Sequence, residues 1–448
     1  MLKAIILFVI IFITSSIQMS RISSFLHTCK SQLKEPIGSH FHVVLGNQAC
    51  DADSMISSLC YAYMHNKHSS ECTDKPCLPV SAISRRDLSF RREVKLLLDT
   101  VSVDLNDVIC SEEVPFKTLQ NSENFKITLV DHNVLDSKYD MLSNSVTEIL
   151  DHHVDGGKYM WVSGDKRNIA FDHQMSKASV GSTCTLVAER FIEVLHMEPD
   201  IATLLLGTIA LDTINMDSHA GIGTTRDANI LEKLSQISSH SKDELFELLR
   251  NAKLDPIFWH ELTVSDVLRI DYKNFTTSTM KLHHFSNIGI ASILQKSSSF
   301  LLKSNIKETI DNTMKEENLS ILIIMSFIHT PQPKRELILF CQDTELFNKL
   351  TSFLLTNTSH GLDFALLEEE NNTLIDILSS SNSNNNKETI LLQHQQCQQQ
   401  REEERDRKHT HSIVLGQGNV RASRKQVAPI LQAFIDSLLL NPAAPSSY

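Results

Sequence analysis

Four short segments gather oxygen and nitrogen donors: Asn47-Gln48-Ala49-Cys50-Asp51-Ala52-Asp53, Asp131-His132-Asn133, Asp151-His152-His153 and the single Asp212. Carboxylate oxygen beside imidazole nitrogen suits a hard or borderline divalent cation such as Mg2+ or Mn2+. On an extended backbone the Asp-Ala-Asp spacing sends Asp51 and Asp53 to opposite sides, so each can take its own cation while a third carboxylate bridges the two. The nine cysteines include no Cys-x-x-Cys pair, which argues against a structural zinc site. Asp212 is the sharpest single residue. It follows the apolar run Leu204-Leu205-Leu206-Gly207-Thr208-Ile209-Ala210-Leu211, where an ionised carboxylate is costly unless a cation compensates it. Each piece alone has a plainer explanation, since an Asp after a strand commonly caps a helix and paired histidines commonly lie on the surface. Four pieces in one stretch of chain make a metal centre the better account.

The elements that must position these donors show in the periodicity. Residues 41–45 read as a buried strand, and Met55, Ile56, Leu59, Cys60 and Tyr63 follow at helical spacing. Further strands are predicted at 127–131 and 146–151, so the donors fall at strand carboxyl ends. Helical spacing runs through Cys184, Leu186, Val187 and Phe191, then through Ile201, Leu204, Leu205, Ile209 and Leu211. Strands alternating with helices predict the α/β class with a mostly parallel sheet, whose ligands bind beyond the carboxyl ends of the strands. This catalytic domain is expected over 40–227 and a charged helical linker over 228–261. A smaller C-terminal α/β domain is expected over 262–448, with strands at 288–293, 319–325, 337–340 and 413–415 and a last helix at 423–440. Residues 379–408 are rich in Asn, Gln and charge, too polar to offset the entropy of ordering, and are expected to form a disordered insertion.

A chain of 448 residues has material for two or three domains. Lys+Arg 42 against Asp+Glu 54 leaves a formal net charge of −12, so no global positive field draws nucleic acid or an anionic membrane. An anionic ligand must find a local cluster of cations. Residues 1–18 carry an apolar run followed by Thr14-Ser15-Ser16, the shape of a secretory signal but too short to span a bilayer. The competing reading takes Met19 as the working start. An odd cysteine count without a disulfide framework favours reduced thiols and a cytoplasmic location. The Asn-x-Ser/Thr sites at Asn274, Asn318, Asn357 and Asn371 matter only on a secretory route.

Taken as motifs, GNQACDADS at 46–54, VDHN at 130–133, LDHH at 150–153 and GTIALDT at 207–213 resemble, in order, the four motifs of the DHH phosphoesterase superfamily. SRKQVAP at 423–429 resembles the phosphate-binding signature of the DHH-associated domain found in family II pyrophosphatases and eukaryotic exopolyphosphatases. The resemblance runs from about Phe41 to the C-terminus, outside the polar insertion. It implies a two-domain hydrolase with a bimetal centre on the first domain and a phosphate clamp on the second. It also implies two divalent cations, Mn2+ or Mg2+ with Co2+ admissible, and a phosphoanhydride substrate.

By position, the resemblance gives Asp51 to the first metal, with Asn47 beside it, and Asp53, His152 and Asp212 to the second. Asp131 would bridge both, and His153 would contact the substrate and protonate the leaving oxygen. Arg424 and Lys425, opening the last helix, would hold the phosphate chain, with Lys273 a less specific candidate. Asn47 stands where the pyrophosphatases carry His, as in exopolyphosphatases and the related prune phosphoesterases. A neutral amide oxygen is a weaker donor, which shifts the expected substrate from pyrophosphate towards inorganic polyphosphate, cleaved at its terminal phosphate. The rivals are a prune-type phosphoesterase acting on short polyphosphates or nucleotides, an inorganic pyrophosphatase, and a scaffold protein that retains the fold without catalysis. The intact ligand set argues against the last.

Overall fold

The computed structural model describes residues 20–34, 41–68, 76–120, 122, 124–275, 280, 287–329, 332–356, 361–379 and 410–440. The signal-like segment 1–18, residues 380–408 of the polar insertion and Asn357 lie outside the described residues, as does the side chain of Lys425. The chain divides into two compact units, Met1–Lys253 and Leu254–Tyr448.

In the first unit, β1 (Phe41–Leu45), β2 (Leu78–Val80), β3 (Phe125–Val130), β4 (Val146–Asp151) and β5 (Arg167–Ile169) form one sheet in the order β2-β1-β3-β4-β5, every pair parallel. The strands bury both faces, as a parallel sheet covered by helices must. Val43, Leu45, Ile127, Leu129 and Ile149 enter one apolar layer, while Val44, Val130 and Leu150 enter the other. The helices are α1 (Arg21–Gln32), α2 (Ala52–His68), α3 (Arg92–Thr100), α4 (Thr183–Phe191), α5 (Pro199–Asp212), α6 (Thr225–Ile237) and α7 (Lys242–Lys253). The side chains of α5 are buried from Ile201 to Leu211, which accounts for its apolar character all round. Strands β2 and β5 escape sequence reading because three residues are too few to show a period. The segment 228–261 is helical, holding most of α6 and all of α7, and the break between units falls inside it.

This strand order locates the site. The chain leaves β1 to build β2 on one side and returns to place β3 on the other, so the carboxyl ends of β1 and β3 flank a topological switch point. The Asn47–Asp53 segment follows β1, and Asp131 follows β3 directly.

The second unit holds a six-stranded sheet of β6 (Tyr272–Phe275), β7 (Asn287–Ile293), β8 (Leu319–Ile328), β9 (Lys334–Cys341), β10 (Phe364–Leu366) and β11 (His411–Gln417), in the order β10-β11-β9-β8-β7-β6. Only β7 with β8 is parallel among the described pairs. Helices α8 (Thr344–Thr356) and α9 (Arg424–Leu440) share its core through Leu350, Leu354, Val427 and Leu431.

Glu198, just before α5, joins three helices of the first unit. It accepts hydrogen bonds from Tyr63 Oη at 2.8 Å and Arg21 at 3.0 Å, and from Lys67. Burial alone would raise its carboxyl, but the bonds from Lys67, Tyr63 and Arg21 outweigh burial and hold it below the usual range. A lowered folded-state value stabilises the protein above the ordinary Glu range, and that contribution is lost as pH falls through the folded value. Glu198→Gln is therefore expected to cost about 1 kcal/mol at neutral pH, with variant and wild type converging as pH falls through the lowered folded-state value, as read by urea denaturation.

Candidate metal centre

The first donor segment turns sharply out of β1. Cys50 adopts a left-handed φ of 51°. Asp51 then caps α2, its Oδ1 accepting from Ser54 N at 3.2 Å and its carbonyl from Met55 N at 3.0 Å. The extended backbone expected for Asp51-Ala52-Asp53 is thus a helix start, and the two carboxylates diverge because one caps the helix while the other lies in its first turn. Gly46 is required by close approach, since a Cβ there would sit 3.0 Å from Ser54 O and 3.1 Å from Ser54 Cβ.

Asp53 is buried against the start of α4. It accepts hydrogen bonds from Ser182 Oγ at 2.8 Å, Thr183 N at 2.8 Å and Cys184 N at 2.9 Å. Asp53 therefore meets the positive end of α4, where a carboxylate is favoured. The loop before α4 is held in turn by buried Asp227, which accepts from Gly181 N at 2.8 Å and Thr185 Oγ1 at 2.6 Å. Asp227 also closes the capping box with Thr224 at the start of α6.

Asp131 sits at a φ of 61°, in the left-handed region that a non-glycine residue occupies only under constraint. Its Oδ2 accepts from Asn47 Nδ2 at 2.6 Å and Ser54 Oγ at 2.8 Å. Its Oδ1 lies 3.5 Å from His152 Nε2, 3.7 Å from His153 Nδ1 and 3.4 Å from Thr183 Oγ1. His152 Nε2 is also 3.9 Å from Asp53 Oδ2. Because His152 Nδ1 meets the carbonyl of Val180 at 3.2 Å, and a carbonyl can only accept, Nδ1 carries a proton and Nε2 is the nitrogen that faces the carboxylates.

Asp151 is fully buried and organises the paired histidines. It accepts from His153 Nδ1 at 2.7 Å, from His152 N at 2.8 Å and from Asn133 Nδ2 at 2.5 Å. Burial would raise this carboxyl, but the two histidines and Asn133 outweigh it and hold it well below the usual range.

These donors fit a divalent cation. Asp131, His152 and His153 each offer a ligand atom within 4.8 Å of the others. Asp212, at the end of α5, has its Oδ2 buried without a hydrogen-bond partner among the described residues. Burial, then the charges of Asp53 and Asp51, push the Asp212 carboxyl well up; burial and Asp51 push Asp53 up likewise. A cluster of buried carboxylates that raise one another in this way has the charge and the orphaned oxygen that a cation would satisfy. Asn47 also shapes the loop. Its Oδ1 accepts from Cys50 N at 3.0 Å and its Nδ2 points at Asp131, so the amide oxygen is engaged within the loop.

In the second unit, Arg424 donates to the carbonyls of Asp271 at 2.7 Å and Ile290 at 3.3 Å and pairs with the Asp271 carboxylate. Lys273 pairs with Ile290 across β6 and β7, and it is the carbonyl of this Ile290 that Arg424 reaches. Sequence reading missed Ser54, Ser182 and Thr183, while Asp227, read in Thr225-Arg226-Asp227 as a helix start, does close that capping box. The small polar pair Ser182-Thr183 opening an apolar helix was the one available signal.

A family model described as the DHH family, N-terminal domain, matches residues 42–209, and the DHHA2 domain model matches 249–434. The chain is 31% identical over 332 residues to the exopolyphosphatase PRUNE1 of Bos taurus, covering 72% of this chain and 68% of that protein. It is 28% identical over 424 residues to the exopolyphosphatase PRUNE1 of Rattus norvegicus, covering 92% and 80%. A manganese-dependent inorganic pyrophosphatase of Methanothrix thermoacetophila is 23% identical over 288 residues, covering 63% and 79%. The crystal structure of a Methanococcus jannaschii protein assigned to the family II inorganic pyrophosphatases shares the fold, with a TM-score of 0.50 and 20% identity over 69% of this chain and 89% of that one.

The mutual repulsion around Asp212 generates a prediction. In the presence of a chelator, Asp212→Asn is expected to raise the melting temperature by about 2–4 °C, because it removes one of the buried like charges. Differential scanning calorimetry in EDTA checks this, and a lowered melting temperature contradicts it.

Proposed function

This chain belongs to the DHH family and carries a DHHA2 domain, and from that premise we propose that it is an exopolyphosphatase that removes terminal phosphate from inorganic polyphosphate, using two divalent cations, Mn2+ or Mg2+. The observation that carries this reading is the cluster of buried Asp53, Asp131 and His152 with Asp212 at the β1/β3 switch point, the Asp212 Oδ2 being buried without a hydrogen-bond partner among the described residues. Divalent cations bound by that cluster would acidify water for attack on phosphorus and offset charge on the phosphoryl oxygens.

The chain's own groups do the remaining work. Asp131 and Asp53 hold fixed positions because Ser54, Asn47 and the start of α4 grip them, so little reorganisation accompanies binding. His153, oriented by its Nδ1 hydrogen bond to Asp151, would carry a proton on Nε2 to the leaving phosphate oxygen. Lys425, Lys273 and Arg424, the last oriented by Asp271, would offset the charge of the remaining phosphates. The reading extends to a reducing, cytoplasmic setting. The seven described cysteines are buried, and no helix among the described residues is long and apolar enough to cross a membrane.

Phosphate release from polyphosphates of graded length, with pyrophosphate, nucleoside tetraphosphate and cyclic AMP as comparators and Mn2+ or Mg2+ supplied, tests the substrate. Polyphosphate is expected to give the highest kcat/KM, and a clear preference for pyrophosphate or cyclic AMP overturns the assignment. Asp131→Ala is expected to lower kcat by at least about a hundredfold while leaving the far-ultraviolet circular dichroism unchanged. Retention of more than about a tenth of wild-type turnover would remove Asp131 from the centre.

A further inference from the structure

We propose that Arg91 is a positioning residue for the proposed metal centre, its buried guanidinium locking the loop that delivers Asp51 and Asp53. This rests on the functional reading above and adds to it a residue outside the four donor segments. Arg91 immediately precedes α3 and is only 4% exposed. Its Nε donates to the carbonyl of Cys50 at 2.7 Å and its Nη2 to the carbonyl of Ala49. Two successive carbonyls, just before the first expected ligand, thus share one planar fork, which an ammonium cannot reproduce.

The loop needs such a lock. Cys50 is held left-handed at 51°, a conformation that costs a non-glycine residue free energy and persists only where its surroundings impose it. From within, Asn47 Oδ1 accepts from Cys50 N; from the other side, Arg91 holds the carbonyls of Ala49 and Cys50. The base of Arg91 is itself fixed, because α3 buries Val94, Leu97 and Leu98 in the core. A buried guanidinium is costly unless its surroundings compensate it, and here two carbonyls accept from it.

Mn2+ binding by the chelator-treated full-length protein, measured by titration calorimetry, is compared for wild type, Arg91→Ala, Arg91→Lys and Arg190→Ala. Arg190 is a partly buried arginine that donates to Glu148 and to the carbonyl of Asp165, not to a donor segment, and controls for general loss of stability. Arg91→Ala is expected to lose about tenfold to a hundredfold in Mn2+ affinity, as the loss of a group that orients ligands does. Its kcat on polyphosphate should fall while KM stays within about threefold, since the lock acts on ligand geometry rather than on substrate contacts. Methylguanidinium should restore part of the Mn2+ affinity to Arg91→Ala, and Arg91→Lys should restore less. Arg190→Ala should bind Mn2+ as wild type does. Wild-type Mn2+ affinity in Arg91→Ala overturns the proposal. If that variant does not fold, wild-type affinity in Arg91→Lys overturns it. A wild-type protein that binds Mn2+ but leaves polyphosphate intact overturns the functional reading alone, because the affinity comparison still decides the role of Arg91.

Discussion

Burying several carboxylates at one end of a sheet is the constraint that shapes the first unit. Asp53, Asp131 and Asp212 come from the start of one helix, the end of a strand and the end of another helix; Asp53 and Asp131 are buried, and Asp212, half-buried as a residue, has its Oδ2 removed from water. Like charges in an apolar setting raise one another, and the fold supplies only partial relief. Asp53 receives the amides opening α4, and Asp131 receives Asn47 and Ser54. The Asp212 Oδ2 receives nothing among the described residues. An apolar helix ending in an unsatisfied carboxylate is a poor choice for stability alone, and its cost is what gives the centre an appetite for positive charge.

The same constraint accounts for the backbone. Cys50 and Asp131, one in each loop at the switch point, both adopt left-handed conformations without being glycine. Such residues survive where surrounding bonds over-determine them, and here those bonds are specific. Asn47 grips both loops at once, accepting from Cys50 N and donating to Asp131, while Ser54 Oγ bridges Asn47 N and Asp131 Oδ2. Asn133 does the equivalent between the β3 and β4 loops, donating to Asp151 and accepting from Gly156 N. The centre is rigid because amide and hydroxyl side chains, each able to donate and accept, staple neighbouring loops together.

What the sequence made legible follows from what leaves a local trace. Long strands such as Phe125–Val130 and the all-apolar helix Pro199–Asp212 carry their own period, and donor clusters at strand ends mark themselves by composition. The conformation of Asp51-Ala52-Asp53 did not show, because spacing alone cannot distinguish an extended segment from the first turn of a helix. Short strands such as Leu78–Val80 were invisible for want of length. The grip of Ser182 and Thr183 on Asp53 spans about 130 positions, and that of Arg91 on Ala49 and Cys50 about 40, so no local pattern announces either. Arg91 addresses backbone carbonyls, which every residue possesses, and therefore leaves no partner residue to recognise.

Asn47 shows how one side chain divides its work. An imidazole at the first motif position can hold a cation through one nitrogen while the other makes a structural bond. A carboxamide can do the same: here one lone pair of its oxygen accepts from Cys50 N and its amide hydrogens go to Asp131, while an amide oxygen has a second lone pair to offer. Turning the amide over would set Nδ2 against the Cys50 N–H and Oδ1 against the Asp131 carboxylate, two repulsive contacts in place of two attractive ones. In this arrangement Asn47 therefore spends its polarity on loop geometry and on the bridging carboxylate. The charge that would hold a cation near Asp51 must then come from carboxylates, whose ionisation depends on how well the surrounding cations and dipoles offset one another. The strained loop, the buried guanidinium that grips its carbonyls and the carboxylates that the loop delivers are thus parts of one geometric problem.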